Sequence, residues 1–257
     1  MSAYLVHDHF QNHKRYQTPK AQLIIADIPY NIGANAYGSN PNWYVNGDNR
    51  NGESDLAKSQ FFDTDKDFRI PEFMHFASRL LKPEPKERGQ APAMVVFCGF
   101  DQQMMLIEEA AKHGFGGYIN LVFRKNFSPQ VLKANMRIVG NAEYGVVLYR
   151  DKLPKFNNHG QMVMNVMEYP RDLGAPKVHP TQKPIALLER LIDLFTDPGD
   201  VVIDPVAGSG ATLVAAENLD RRGFGFEIKK EFVNAFETLM RPTITQGLPL
   251  WVPESSS

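Results

Sequence analysis

The chain has 257 residues, 43% hydrophobic and 22% charged, with a net charge of -1 and a single cysteine, Cys98. Such a chain can bury one substantial core. Its near-neutrality argues against indiscriminate coating of nucleic acid, and one thiol excludes both an internal disulfide framework and a multi-thiolate zinc centre. No apolar run approaches the roughly 20 residues a membrane helix needs. The first residues carry neither a basic leader nor an apolar signal core, so a cytoplasmic protein without membrane attachment is expected.

In chain order, a short apolar run at 4–6 predicts a first strand, and a second run at 23–25 leads into Asp27-Ile28-Pro29-Tyr30. Residues 31–67, with seven asparagines between Asn31 and Asn51, read as a long mobile loop. Helical spacing follows at 70–81 and 102–113, with a strand at 94–97 between them and Cys98 as a small core residue at its end. Phe73, Met74 and Phe76 read as core, as do Met104 and Met105.

A strand at 119–123 and a run at 144–149 succeed one another without a helix, so the latter is expected as an antiparallel edge. Residues 121–155 hold seven basic side chains (Arg124, Lys125, Lys133, Arg137, Arg150, Lys152, Lys155) against Glu143 and Asp151. An excess of that size suits one basic face for a phosphate-bearing partner. Residues 152–178, with Pro154, Pro170 and Pro176, read as a small irregular insert. A helix at 185–195, strands at 201–203 and 224–226, and helices at 212–219 and 229–239 complete the pattern, and 242–257 is a tail. Strand-helix alternation predicts an α/β fold with a mostly parallel sheet covered on both faces, in a single domain over 1–241.

The stretch VVIDPVAGSGATLVAAENLDRRGFGFE carries the most chemistry. A strand ends at Asp204, Pro205 and Ala207 lead into Gly208-Ser209-Gly210, and a helix begins near Thr212. Glycines let a backbone approach a ligand where a Cβ would collide, and the helix start offers free amides. The next strand delivers Glu227, an acid placed to hydrogen-bond both hydroxyls of a ribose. A nucleoside-containing cofactor is therefore expected. The NAD fingerprint needs a third glycine where Leu213 stands, and Asp204 suits a cationic ligand such as S-adenosylmethionine better than a pyrophosphate.

Asp27-Ile28-Pro29-Tyr30 closes a buried strand, at the rim where open α/β sheets bind ligands. Pro29 biases Ile28 towards extended backbone. The Asp27 carboxylate and Ile28 carbonyl then form two acceptors that can grip an exocyclic amino group, with the Tyr30 ring to stack on its base. No metal-ligand spacing appears, and His75, His113 and His159 read as ordinary surface or core residues.

DIPYN resembles the Asp-Pro-Pro-Tyr motif of amino-methyltransferases acting on adenine N6 or cytosine N4 in DNA. DPVAGSGAT resembles their glycine motif, HPTQKP (His179 to Pro184) the segment before their first helix, and LVFRKNFSP followed by NAEYGVVLY the region where they read Trp-x-Lys. Four motifs agree in the order of the permuted β group, over roughly residues 3 to 240. The resemblance implies a Rossmann-like class I methyltransferase sheet, circularly permuted, with the 4–6 strand supplying the sheet neighbour missing after Glu227.

It further implies S-adenosylmethionine near Asp8, Asp27, Thr181, Gln182, Lys183 and the glycine motif, and a flipped adenine at Asp27 and Tyr30. DNA contacts are expected from Asn31, Arg124, Lys125, Asn126, Lys133 and Arg137, with 31–67 and 152–178 facing DNA. A homodimer and a cognate restriction endonuclease are further partners it suggests. Ile28 departs from the motif's first proline, Phe123 from its tryptophan, and the 152–178 insert is short for a target-recognition region. Asp27 favours adenine over cytosine, whose subgroup more often has Ser there. An NAD-dependent oxidoreductase and a non-catalytic nucleic-acid binder are the competing classes.

Overall fold

The structure, a computed structural model, describes residues 3–30, 68–126, 130–133, 138–170, 172, 174–178 and 182–244. An eight-stranded sheet organises them. It contains β1 (Tyr4–His7), β2 (Leu23–Asp27), β3 (Ala93–Cys98), β4 (Gly117–Lys125), β7 (Ala142–Tyr149), β8 (Val166–Tyr169), β9 (Val201–Asp204) and β10 (Arg222–Glu227). The order across the sheet is β1-β10-β9-β2-β3-β7-β4-β8, and a separate hairpin pairs β5 (Gln130–Lys133) with β6 (Ile138–Gly140). Five helices accompany it: α1 (Ile70–Leu80), α2 (Gln102–Lys112), α3 (Ile185–Phe195), α4 (Ala211–Asn218) and α5 (Lys230–Ala235).

Alternation along the strands divides the core. Leu23 and Ile25 of β2, with Ala93, Val95 and Phe97 of β3, face α3 and α4. Ile24, Ala26 and Ile28, with Met94, Val96 and Cys98, face α1 and α2. Strands buried on both faces need continuous apolar runs, and LIIA and AMVVFC supply them. Cys98 is 1% exposed, a core residue as its sequence setting suggests.

The first strand joins the sheet as expected: β1 runs parallel to β10, with His7 opposite Glu227. β7 is antiparallel, but it lies between β3 and β4 rather than at an edge. Its four buried residues, Gly145 to Leu148, fit that interior place. The edge is β8, parallel to β4 and formed within the segment expected to be irregular. The last helix is interrupted: α5 passes into a π turn at Phe236–Met240 that drives Phe236 and Met240 into the core. Among the described residues no helix is long and apolar enough to cross a membrane, and no cluster of His, Cys, Asp or Glu is placed to hold a metal.

Candidate active site

β2 and β9 lie side by side and parallel, with Leu23 opposite Val202 and Ile24 opposite Ile203. From this pair the chain proceeds outward in opposite directions, to β3 on one side and β10 on the other. A crevice at the carboxyl ends of strands diverging this way is where open α/β sheets take ligands. Asp27 ends β2 and Asp204 ends β9, so the Asp-Ile-Pro-Tyr loop and the glycine turn share one rim.

The loop is fastened from three directions. The Ile28 N–H donates to the Phe97 carbonyl at 3.2 Å, and the Ile28 side chain is buried in the core. A proline at 28 could not make that bond, so the departure from the family motif is compensated by a strand contact. Tyr30 donates its hydroxyl to Asp27 Oδ1 at 3.1 Å. Gln102, at the start of α2 and 6% exposed, accepts the Gly99 N–H at 2.9 Å and donates to the Pro29 carbonyl at 2.9 Å.

One side chain thus ties the loop after β2 to the loop after β3. Gln102→Ala would leave a donor and an acceptor without this partner, at about 1–3 kcal/mol. We expect thermal unfolding to show that loss, with turnover reduced more than the cost in stability explains. Wild-type turnover in a folded Gln102→Ala protein would remove Gln102 from the loop's support. Gln102 shares the buried stripe of α2 with Leu106, Glu109 and Ala110. A polar residue on a buried stripe is the sequence signal that marks it.

On the other side of the crevice, Gly208 and Gly210 have φ of +51° and +76°, conformations that L side chains rarely adopt. At Gly208 an added Cβ would meet nothing within 4 Å, whereas at Gly210 it would lie 2.3 Å from the Phe236 ring. Gly208 therefore borders open space and Gly210 closes against the core. Glu227 accepts the Gly208 N–H at 2.9 Å and the Lys229 N–H at 2.7 Å, binding the turn to the end of β10. Burial raises its pKa.

Asp204, 4% exposed, accepts the Thr212 hydroxyl at 2.6 Å and the Val206 N–H at 3.0 Å. Burial, opposed by those two bonds and reinforced by the carboxylates of Asp27 and Glu227, pushes its pKa up to about 7. Pro205, Ala207 and Ser209 are buried within the same turn.

Between the two halves runs a line of alternating charges. Lys183 Nζ lies 2.6 Å from Asp27 Oδ2 and 3.4 Å from Glu143 Oε2, and Glu143 in turn pairs with Lys125. Burial opposes ionisation of Glu143, but the ammonium groups of Lys183 and Lys125 outweigh it and hold its pKa below the usual range. Burial lowers the pKa of Lys125 and raises that of Asp27.

Several expected site residues are placed differently. Lys183, expected near the cofactor together with Asp27, contacts the Asp27 carboxylate directly, and Gln182 accepts from the Val178 N–H and donates to the Pro176 carbonyl. Asp8 follows β1, but its carboxylate is engaged by the His9 N–H, the Asn12 amide and the Tyr16 hydroxyl. Those hydrogen bonds hold its pKa down at about 2 and pin the 3-10 turn Phe10–Tyr16.

The basic face is largely consumed internally. Arg124 pairs with Glu168, Lys125 with Glu143 and Lys155 with Asp197, while Arg150 and Lys152 donate to backbone carbonyls. Four of these five find their partners outside residues 121–155, which a charge count over that window omits. Asn126 is exposed. Asn31, Arg137 and Thr181, with the loop 31–67 and the tail from 245, lie outside the described residues, and only the backbone of Lys133 is described. Met104 and Met105, expected in the core, are 64% and 55% exposed, because α2 turns Leu106 and Ala110 inward instead.

A mostly parallel sheet with a glycine turn, an acid closing the neighbouring strand and the Asp27–Tyr30 loop on one rim is that of a class I methyltransferase. Solved structures share the fold: M1.HpyAVI at TM-score 0.65 and 21% identity, over 95% of this chain and 100% of that one. The PvuII cytosine-N4-specific DNA methyltransferase matches at TM-score 0.65 and 16% identity, over 100% of this chain and 89% of that one.

Among curated relatives, the DNA adenine methyltransferase YhdJ of Escherichia coli K12 is 33% identical over 137 residues, which are 52% of this chain and 42% of that protein. The type II methyltransferase M.HpaI of Haemophilus parainfluenzae is 27% identical over 239 residues, 86% of this chain and 68% of that protein. The chain thus spans less than half the length of YhdJ. The DNA methylase family model for N6 and N4 methyltransferases matches residues 21–238. The chain belongs to that family.

Proposed function

We propose that this protein transfers a methyl group from S-adenosylmethionine to N6 of an adenine flipped out of DNA. The observation that carries the reading is the shared rim: Asp27 and the Gly208–Gly210 turn close adjacent parallel strands. A methyl donor on the glycine side and an amine held by Asp27 would then meet. The M1.HpyAVI fold is also known in complex with S-adenosylmethionine, at TM-score 0.64 and 23% identity over 92% of this chain and 98% of that one.

Glu227 would hold the ribose hydroxyls, with the exposed Ile228 beside it as an apolar face for the cofactor's base. The target amine is a poor nucleophile because its lone pair is delocalised into the ring. Hydrogen bonds from its two protons to the Asp27 carboxylate and the Ile28 carbonyl localise that pair. It attacks the methyl carbon in line, the C–S bond breaks with its electrons remaining on sulfur, and the extra proton on nitrogen leaves to Asp27 or to water. Alignment supplies much of the rate. Tyr30 would stack on the everted base.

Asp27 as the first residue of its motif, and the similarity to the DNA adenine methyltransferase YhdJ, favour adenine over cytosine N4. Arg124 near the end of β4 and Asn126 just after it, both exposed, remain candidates for DNA contacts, as do Asn31, Lys133 and Arg137. Lys125 is withdrawn from that role by its burial against Glu143. A homodimer and a cognate endonuclease stay within this reading as partners.

The test uses S-adenosylmethionine labelled in its methyl group and plasmid DNA from a methylation-free host. Label should enter the DNA, and calorimetry should register S-adenosylmethionine but not NADH. NADH binding, or cofactor binding without transfer to DNA, would overturn the proposal. The same calorimetry reads Asp204. A cationic ligand requires its ionised form, and a group titrating at about 7 is mostly ionised at pH 8 and mostly protonated at pH 6. Affinity for S-adenosylmethionine is therefore expected to fall about tenfold from pH 8 to pH 6, with proton release on binding near neutrality.

A further inference from the structure

The line from Lys125 through Glu143 and Lys183 to Asp27 joins residues from four places in the chain: the end of β4, the start of β7, the segment before α3 and the end of β2. Lys183 has a side chain 6% exposed, and its ammonium lies 5.0 Å over the Phe97 ring. Burying an ammonium is costly unless it is paired. A cation is not needed to grip an amine, so its placement against the one acid the transfer depends on calls for a reason.

Asp27 is faced by groups of both signs. Glu143 of β7 and Asp204 of β9 are acids that disfavour its charge, and Cys98 of β3 is a neutral thiol whose pKa burial pushes to about 12. Tyr30 donates to it at 3.1 Å, and Lys125 stands behind Glu143. Among the described residues, Lys183 is the cation in contact with the Asp27 carboxylate. A protonated Asp27 would offer the target amine a weaker acceptor and could receive no proton afterwards.

We propose that Lys183, held from behind by Glu143 and Lys125, is a positioning residue that keeps the Asp27 carboxylate ionised and turned towards the target amine. This rests on the methyl-transfer reading above. Lys183 takes Oδ2 at 2.6 Å and Tyr30 takes Oδ1 at 3.1 Å, fixing the plane of the carboxylate while each oxygen keeps a further lone pair for the incoming N–H. In this reading the Lys183 ammonium acts on Asp27, beside the place its motif suggested for the cofactor.

The experiment is a pH–rate profile of methyl transfer to unmethylated plasmid DNA for wild type, Lys183→Met, Lys183→Arg and Glu143→Gln, with S-adenosylmethionine affinity measured by calorimetry on each. Lys183→Met should move the acidic limb upward by about one pH unit or more, because an adjacent cation no longer favours the charged acid. Its dissociation constant for S-adenosylmethionine should stay within about twofold of wild type, placing the defect in kcat. Lys183→Arg, which keeps the charge, should return the limb towards its wild-type position.

Glu143→Gln removes the acid that shares Lys183 and should move the limb to lower pH. An unmoved limb in Lys183→Met overturns the proposal, most plainly if S-adenosylmethionine affinity drops about tenfold instead. Should Lys183→Met fail to fold, Glu143→Gln decides: a limb unmoved or raised in that variant overturns it too. Wild-type protein that methylates nothing at any pH would instead defeat the underlying reading, an outcome distinct from these.

Discussion

Asp27→Asn should abolish nearly all methyl transfer, by about 10²–10⁴-fold, while S-adenosylmethionine still binds. The amide keeps the shape of the side chain but offers only one acceptor oxygen. The Lys183 ammonium, 2.6 Å from Oδ2, will claim that oxygen. The amide NH₂ then occupies the other position, where it meets the Tyr30 hydroxyl and presents a donor to the donor protons of the target amine. Two donors facing one another cannot localise the amine lone pair.

The fold should survive the change. The Asp27 side chain is 31% exposed, and Lys183 keeps Glu143 at 3.4 Å. A stability loss of about 1–2 kcal/mol is expected from thermal unfolding. Activity above about a tenth of wild type would contradict the assigned role.

Gly210→Val should act in the opposite way, through stability first. With φ at +76°, a β-branched residue is strained wherever it has room, and here it has none. Its Cβ would stand 2.3 Å from the Phe236 ring, which is fully buried and cannot swing aside. Backbone strain of about 1–3 kcal/mol adds to overpacking of about 1–3 kcal/mol, so a fall in Tm of about 10 °C is expected for a chain of this size.

Gly208→Ala is the informative contrast. Its φ of +51° brings mild strain, but its Cβ would meet no protein atom within 4 Å. The proposed cofactor lies on that open side, so Gly208→Ala should lower S-adenosylmethionine affinity with a loss of stability of about 1 kcal/mol. Equal melting temperatures for Gly210→Val and wild type would refute the packing argument. Unchanged affinity in Gly208→Ala would place the cofactor elsewhere.

The sheet was legible where the sequence concentrates its signal. Runs such as LIIA and AMVVFC can only be strands buried on both faces, and α3 begins and ends where its spacing predicts. The placement of β1 beside β10 also followed, because Glu227 otherwise ends a strand with an exposed neighbour position. β8 was missed because an edge strand of four residues, alternately exposed and half-buried, carries too short an apolar pattern. β7 was misplaced because antiparallel direction does not by itself say which strands flank it.

In the site, single motifs were readable and their couplings were not. Asp27 and Lys183 stand 156 residues apart in the chain, and no local spacing announces that they touch. Asp8 was read by analogy as a cofactor residue, and its hydrogen bonds from Asn12 and Tyr16 were not foreseen. The basic excess over 121–155 was incomplete for a related reason: charge density along a sequence does not reveal partners such as Glu168 and Asp197 elsewhere in the chain. Met104 and Met105 fall between Gln102 and Leu106 of the buried stripe of α2, where the helix turns both to the surface.

The most direct measurement is mass spectrometry of nucleosides from DNA of a methylation-free host expressing this chain, beside DNA from the same host expressing Asp27→Asn. An acid and a peptide oxygen gripping an everted purine amine predict N6-methyladenine in the first sample and essentially none in the second. N4-methylcytosine alone would move the substrate to the other amine. No methylated base in either sample, from protein that is folded and binds S-adenosylmethionine, would contradict the account.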